Sequence, residues 1–165
     1  MKTSIKKINL VSNERQWFDY NDISEVIEKI KNGDSDAELL LAYHYFYDKD
    51  DNYDLVYDIV SKYKFKDDVY AQRLLAILYL DGKGVEKSES KAIEILLRPE
   101  FKDFPSIKNV LSYIYLDELS EKKEYKKGFL LALESVKEGY IESYYDLGWC
   151  YFYGNGVPRS YKKCS

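Results

Sequence analysis

Apolar residues recur three and four positions apart through most of this chain of 165 residues, the spacing that places them on one face of an α-helix. The same helical pattern begins four times, at Ala37, Ala71, Ile107 and Ser143, with separations of 34, 36 and 36 residues. A period in this range is typical of stacked helical units, each of which buries its apolar face against its neighbours. The pattern therefore predicts an all-α fold built from helix pairs.

Each unit is predicted to contain a first helix, a turn and a second helix. The second helices are expected at 53–63, 89–97 and 123–138, and the first helix of the earliest full unit at 37–47, after a capping box at 35–38. An additional helix follows a capping box at 22–25, ends at Gly33, and has the pattern of a second helix from an incomplete repeat. Residues 1–21 show no sustained period and are predicted to form a separate N-terminal segment that caps the domain at 22–165.

Two of the turns have the sequence Gly-x-Gly, at 82–84 and 154–156. Glycine reaches positive φ values that other residues adopt only with strain, so these glycines are predicted to reverse the chain between helices. A dinucleotide-binding loop is not expected here, because the third glycine and a preceding strand are missing. Pro99 and Pro105 bracket a segment that must be a connection rather than a helix interior.

The string Leu-Ala/Gly-x-x-Tyr-x-x-Gly-x-Gly-Val occurs at 75–85 and 147–157, followed by Lys91-Ala92 and by Lys163-Cys164. It resembles the Sel-like repeat family, which is related to the tetratricopeptide repeats. The units beginning at Ala37 and Ile107 have other residues in place of the Gly-x-Gly turn. The resemblance implies a right-handed α/α superhelix, or solenoid, whose last repeat is incomplete, and the role of an adaptor or scaffold that binds proteins.

One face of each first helix is predicted to form the core between helices. In the second unit this face holds Ala71, Leu75 and Tyr79, and Leu75→Ala is expected to cost about 2–5 kcal/mol by leaving a cavity. Small residues beside this face should let the paired helix approach closely. They are Ala42, Ala76, Ser112 and Gly148 on the first helices, with Ala92 and Gly128 on the second.

Another face of the first helices changes its chemistry from repeat to repeat. Because first helices line the concave side of a solenoid, this face is the candidate partner-binding surface, rich in the aromatic and Arg side chains that contact hot spots favour. The alternative is that several of these rings only pack against neighbouring helices. The predicted concave-face residues are Leu39, Tyr43, Tyr47, Arg73, Ile77, Asn109, Tyr113, Tyr145, Trp149 and Tyr153.

The last repeat stops where its second helix should begin. The side of its first helix that carries Leu147, Tyr151 and Phe152 is therefore expected to be exposed, and exposed apolar patches mark interfaces. This end is predicted to dock a partner or a second copy of the chain, giving a homo-oligomer. Alternatively, the chain is a fragment of a longer solenoid.

The charge pattern restricts the classes of partner that the protein is expected to bind. The net charge is −4 with both signs interleaved, and no basic block is present that could follow a phosphate backbone, so nucleic-acid binding is not expected. No signal peptide and no run of eighteen apolar residues is present, which predicts a soluble, cytoplasmic protein that does not bind membranes.

Few residues suggest catalysis or metal binding. His44 is the only histidine and has no nucleophile at a recognisable spacing, so it is predicted to be a packed helix residue. The carboxylates of Asp48, Asp50, Asp51 and Asp54 lack the glycine and terminal Glu of a calcium loop. Cys150 is expected to be a buried thiol, although a disulfide to Cys164 is geometrically conceivable. The sequence thus predicts no enzyme, no metal and no cofactor.

Three functions remain open from the sequence. The first is a protein-interaction module that binds an extended or helical partner segment through its concave face. The second is a small cytoplasmic inhibitor, such as an immunity protein that neutralises a toxin or an enzyme. The third, an enzyme or small-molecule receptor, would require a closed pocket with converging polar groups, which stacking in one dimension disfavours.

Overall fold

Helices make up most of the chain in this computed structural model, which describes residues 23–47, 52–62 and 65–160. The described part contains eight α-helices and no β-strand, which confirms the all-α prediction. The predicted cap at 1–21 and the capping box that begins at Asp22 lie outside the described residues. The helices are α1 (Ile23–Lys31), α2 (Ser35–Tyr47), α3 (Tyr53–Val60), α4 (Val69–Asp81), α5 (Glu89–Leu96), α6 (Pro105–Leu116), α7 (Tyr125–Lys137) and α8 (Ser143–Tyr153).

The helices pack as sequential pairs. α2 packs against α3, α4 against α5 and α6 against α7, while α8 packs against α7. The first helices also touch each other, since α4 contacts α6 and α6 contacts α8. A backbone hydrogen bond recurs at the same repeat position and closes the turns of the last three units: N–H of Ser88 to O of Tyr79 at 2.8 Å, N–H of Glu124 to O of Tyr115 at 2.9 Å and N–H of Ser160 to O of Tyr151 at 2.9 Å. This arrangement is an α/α solenoid.

The helix limits follow the predicted periods with small shifts. The second helices end earlier than predicted, α3 by three residues and α5 and α7 by one residue each. The predicted cap at Ser35 is wrong, because α2 already begins there and Asp34 Oδ1 accepts a hydrogen bond of 3.4 Å from the N–H of Ala37. Residues 97–104 form turns, and Pro105 occupies the first turn of α6, where its missing N–H costs no intrahelical bond.

The Gly-x-Gly turns also bring neighbouring units together. All four glycines have positive φ: 69° at Gly82, 66° at Gly84, 80° at Gly154 and 73° at Gly156. A Cβ built on Gly84 would lie 2.6 Å from the carbonyl carbon of Tyr53, the first residue of α3. A Cβ on Gly156 would lie 2.7 Å from the carbonyl carbon of Tyr125, the first residue of α7. The second glycine of each turn therefore lets that turn rest on the second helix of the preceding unit.

The core follows the small-residue positions more closely than the predicted leucine positions. Ala42, Ala76 and Ser112 have no exposed surface, and Ser112 Oγ donates a hydrogen bond of 2.9 Å to the carbonyl of Gly128 on the paired helix. Leu74 and Leu78 are fully buried, whereas Leu75, predicted to be a core residue, is half-buried. The α4 core therefore contains leucines on both sides of the predicted position.

Candidate functional site

A row of exposed aromatic rings runs along α8 and continues onto α6. Tyr145, Trp149 and Tyr153 are spaced four residues apart, so they share one face of α8, and they are 69%, 43% and 51% exposed. Tyr113 on α6 is 55% exposed. The Trp149 and Tyr153 rings are parallel within 7° with their centroids 4.7 Å apart, and Tyr145 meets Trp149 edge-on at 5.9 Å. Solvent thus reaches a large aromatic area.

Two adjoining cavities lie on the α6 side of this row, and a third hollow of about 500 Å³ lies on the side of Tyr144, Gly148 and Phe152. The first, named here the α6–α8 cavity, has a volume of about 490 Å³, and the second, the α4–α6 cavity, has a volume of about 570 Å³. Tyr113, Tyr145 and Asp146 line both cavities. The first helices of three successive units therefore form one continuous surface.

Seven of the ten predicted concave-face residues meet at this surface. The α4–α6 cavity is lined by Arg73, Ile77, Asn109, Tyr113 and Tyr145, and the α6–α8 cavity by Tyr113, Tyr145, Trp149 and Tyr153. Arg73 is only 6% exposed, and its guanidinium lies 6.0 Å from the centre of the Tyr140 ring. It therefore forms part of the cavity floor rather than of its rim.

The three predicted residues on α2 lie elsewhere. The prediction that Leu39 lies on the binding surface is wrong, because Leu39 is 7% exposed and packs in the core between α2, α3 and α4. The Tyr43 hydroxyl donates a hydrogen bond of 3.5 Å to the carbonyl of Tyr70, and its ring stacks on Tyr47 with the centroids 6.4 Å apart. Tyr43 and Tyr47 line neither of the two cavities.

Asp146 also belongs to this surface, although the periodicity did not point to it. Its Oδ2 accepts a hydrogen bond of 2.8 Å from Asn109 Nδ2. Burial raises the pKa of Asp146 to about 6, and the hydrogen bond from Asn109 opposes this rise. The corresponding residues of the other units are Leu40, Leu74 and Val110. A carboxylate at a repeat position that is otherwise aliphatic is the feature of the sequence that could have identified Asp146 as a surface residue.

Other carboxylates surround the aromatic row. Asp117 and Glu118 line the α6–α8 cavity, while Asp81 and Glu142 line the α4–α6 cavity. Their field reaches Tyr113, whose pKa is raised first by burial and then by the negative charges of Asp117, Asp81 and Asp146. The surface is therefore both aromatic and acidic.

The predicted open side of the last helix is only partly correct. Leu147 is 8% exposed and Tyr151 packs edge-on against Phe129 with the centroids 5.7 Å apart, so these two residues face α7. Phe152 is 42% exposed, and a Cβ built on Gly148 would meet no atom within 4 Å. The residues equivalent to Gly148 in the other units are fully buried, and those equivalent to Phe152 are half-buried. The open side thus lies where a second helix packs in those units, and the predicted homo-oligomer through this helix stays a prediction.

The residues considered for catalysis or metal binding do not form a cluster in the described part of the chain. Among residues 23–47, 52–62 and 65–160, no group of three or more His, Cys, Asp or Glu side chains could hold a metal ion. Cys150 is fully buried as predicted, and burial together with the charge of Asp146 raises the pKa of its thiol to about 11. The predicted Asp-rich loop at 48–51 and Cys164 lie outside the described residues. No helix within these ranges is long and apolar enough to span a bilayer.

Comparison with known families identifies the repeat. The Sel1 repeat profile matches residues 35–54, 69–98 and 141–164, which are three of the four units. The chain is a Sel1-like repeat protein. The profile does not match the unit at 105–137, which lacks the Gly-x-Gly turn, yet α6 and α7 pack there as a pair like the others. Sel1-like repeats are generally protein-interaction modules and usually non-catalytic.

Solved structures share this fold. The chain is similar to c5321, a protective antigen present in uropathogenic Escherichia coli strains that displays an SLR fold, with a TM-score of 0.62 and 22% sequence identity over 87% of this chain and 31% of that one. It is also similar to a Sel1 repeat protein from Oxalobacter formigenes, with a TM-score of 0.61 and 19% identity over 77% of this chain and 50% of that one. This Sel1-like chain therefore spans 31% of the length of the first of these proteins and 50% of the length of the second.

Proposed function

We propose that this Sel1-like repeat protein is a non-catalytic adaptor that binds a segment of a partner protein along the surface formed by α4, α6 and α8. The observation that carries the proposal is the row of exposed rings of Tyr113, Tyr145, Trp149 and Tyr153 beside two adjoining cavities. Aromatic side chains bury a large area on binding at a modest entropic cost, and they dominate contact hot spots.

The shape of the surface favours a polypeptide over a small substrate. The two cavities share a wall and run across three successive first helices, so an extended or helical segment can contact both at once. Small-molecule sites, in contrast, enclose most of their ligand in one concave pocket. Both cavities here open beside rings that are about half exposed or more, which suits a long ligand lying along the surface.

An affinity capture experiment tests the proposal. Wild-type protein and a Tyr145→Ala, Trp149→Ala double variant would be immobilised, exposed to native cell extract, and the bound proteins identified by mass spectrometry. Both side chains are exposed, so the double variant should remain folded, which far-UV circular dichroism would verify. We expect a specific protein whose affinity falls at least about tenfold in the double variant.

Leu130→Ala is the matched control. Leu130 is 46% exposed on α7, and it lines none of the cavities beside the aromatic row. Its replacement should leave capture unchanged. Equal recovery by all three proteins would contradict the proposed surface. Recovery of a toxin or an enzyme whose activity the wild-type protein suppresses would indicate the inhibitor role instead of an adaptor.

A further inference from the structure

The α6–α8 cavity combines aromatic walls with acidic side chains. Its aromatic residues are Tyr113, Tyr145, Trp149 and Tyr153, and its carboxylates are Asp117, Glu118 and Asp146. None of the described residues that line it is Lys or Arg. An anionic ligand would therefore meet negative charges with no compensating positive side chain on the cavity wall.

The aromatic faces are suited to a positive charge. The π-face of a Trp or Tyr ring is electronegative and attracts ammonium and guanidinium groups that lie within about 6 Å of its centre. Trp149 and Tyr153 present parallel rings on one side of the cavity, and Tyr113 lies on the facing helix. The same rings can pack against the apolar stem of a Lys or Arg side chain.

The helix ends add to the negative field. α6 ends at Leu116 and α8 at Tyr153, and both residues line this cavity. The last carbonyl groups of a helix carry a partial negative charge that stabilises nearby cations. The aromatic rings, the carboxylates and the helix ends thus all favour a positively charged ligand.

We infer that the α6–α8 cavity binds a Lys or Arg side chain of the partner segment, which lies across the aromatic rings and pairs with Asp117, Glu118 and Asp146. This inference rests on the proposed function, because it names the chemistry that the protein-binding surface selects. The volume of about 490 Å³ exceeds that of an ammonium group, so the cavity accommodates the stem of the side chain as well as its charge.

The test uses a positional-scanning library of acetylated and amidated dodecapeptides incubated with the full chain. We expect the wild-type protein to select Lys or Arg at one position. For the best peptide, replacing that residue by norleucine should weaken binding about tenfold, and Glu there should weaken it further. Selection of acidic or purely apolar residues, or no binding at millimolar peptide, would overturn the inference.

Charge reversal on the protein gives the decisive control. Glu118 and Glu94 are both exposed, but only Glu118 lines the cavity, so Glu118→Lys and Glu94→Lys make the same change in net charge at different places. Glu118→Lys should lose the preference for Lys or Arg, and Glu94→Lys should keep it. An unchanged preference in Glu118→Lys would overturn the inference.

Two further measurements separate this inference from the proposed function. In the first, the affinity for the captured partner is measured for Trp149→Ala and Glu118→Lys, and for the wild type at about 50 and 500 mM salt. If only Trp149→Ala weakens binding, the surface binds a protein but does not select a cation. If Tyr145→Ala and Trp149→Ala also leave the affinity for the captured partner unchanged, the proposed function itself fails.

In the second measurement, spermidine serves as a free organic cation. Tight binding of spermidine without any preference among peptides would overturn the assignment to a protein side chain.

Discussion

Replacing Asp146 by Asn should stabilise the protein at neutral pH and leave its stability at pH 4 nearly unchanged. Burial raises the pKa of Asp146 from 3.8 to about 6 in the folded chain. Between these two values the folded protein holds a proton that the unfolded chain has released, so stability falls as the pH rises through this window and stays low above it. The shift corresponds to about 3 kcal/mol in the free energy of unfolding.

The amide in Asp146→Asn removes the cost of ionisation and keeps the side-chain shape. Its oxygen can still accept the hydrogen bond that Asn109 Nδ2 donates at 2.8 Å. The variant should therefore exceed the wild type in stability by up to about 3 kcal/mol at pH 7.5, and the difference should shrink to near zero at pH 4. In thermal unfolding this gain corresponds to an increase in Tm of about 6–12 °C.

Urea denaturation followed by circular dichroism at several pH values between 4 and 8 measures this difference. Asp103→Asn changes an exposed carboxylate in the turn before α6, so it should alter the free energy of unfolding by no more than about 0.5 kcal/mol at any pH. Carboxyl NMR of the wild type should show Asp146 titrating near pH 6. A constant loss of stability in Asp146→Asn at every pH would refute the argument, since it would show that the fold needs the carboxylate charge.

Three other changes have expected outcomes in denaturation or labelling experiments. Gly84→Ala should lower the free energy of unfolding more than Gly33→Ala does. Both glycines have positive φ, which costs a residue with a Cβ about 1–2 kcal/mol, but only the Cβ at Gly84 would collide with a neighbouring helix. Equal losses of stability in the two variants would contradict this. Leu78→Ala, at a fully buried site, should lower the free energy of unfolding by about 2–5 kcal/mol, and Leu75→Ala should lower it by less. The reverse order would contradict the position of Leu78, rather than Leu75, in the core of α4. Cys150, in a chain whose tail cysteine is replaced by serine, should react with a thiol reagent at pH 8 only after unfolding, and rapid labelling of the folded protein would contradict its burial.

Local signals were sufficient to predict most helix limits. The spacing of Leu, Tyr and Gly residues predicted the first helices and the Gly-x-Gly turns, and the second helices differ from their predicted limits by at most three residues. The cap of α2 was misplaced because Asp34 and Ser35 are adjacent and both belong to residue types that cap helices. Competition between neighbouring residues of this kind is settled only by the backbone path into the helix.

The binding surface was less predictable, because residues on equivalent repeat positions do not share equivalent surroundings. Leu39 and Arg73 occupy the same column as Tyr145, yet the first two are buried and Tyr145 is 69% exposed. Asp146 sits in a column of aliphatic residues, and no prediction from the sequence included it. The last unit differs from the others because no helix in the described part follows α8, so its first helix presents surfaces that the equivalent helices bury.

The sequence by itself determined the helical period, the sequential helix pairs and the glycine turns, because each depends on contacts between residues close together in the chain. Only the tertiary structure decided which side chains meet. Tyr113 and Trp149 line the same cavity although a whole repeat separates them, and that juxtaposition depends on how α6 and α8 pack. Helix periodicity sets the face on which a residue lies, but the neighbour of that face is set by packing between helices that the local pattern does not specify.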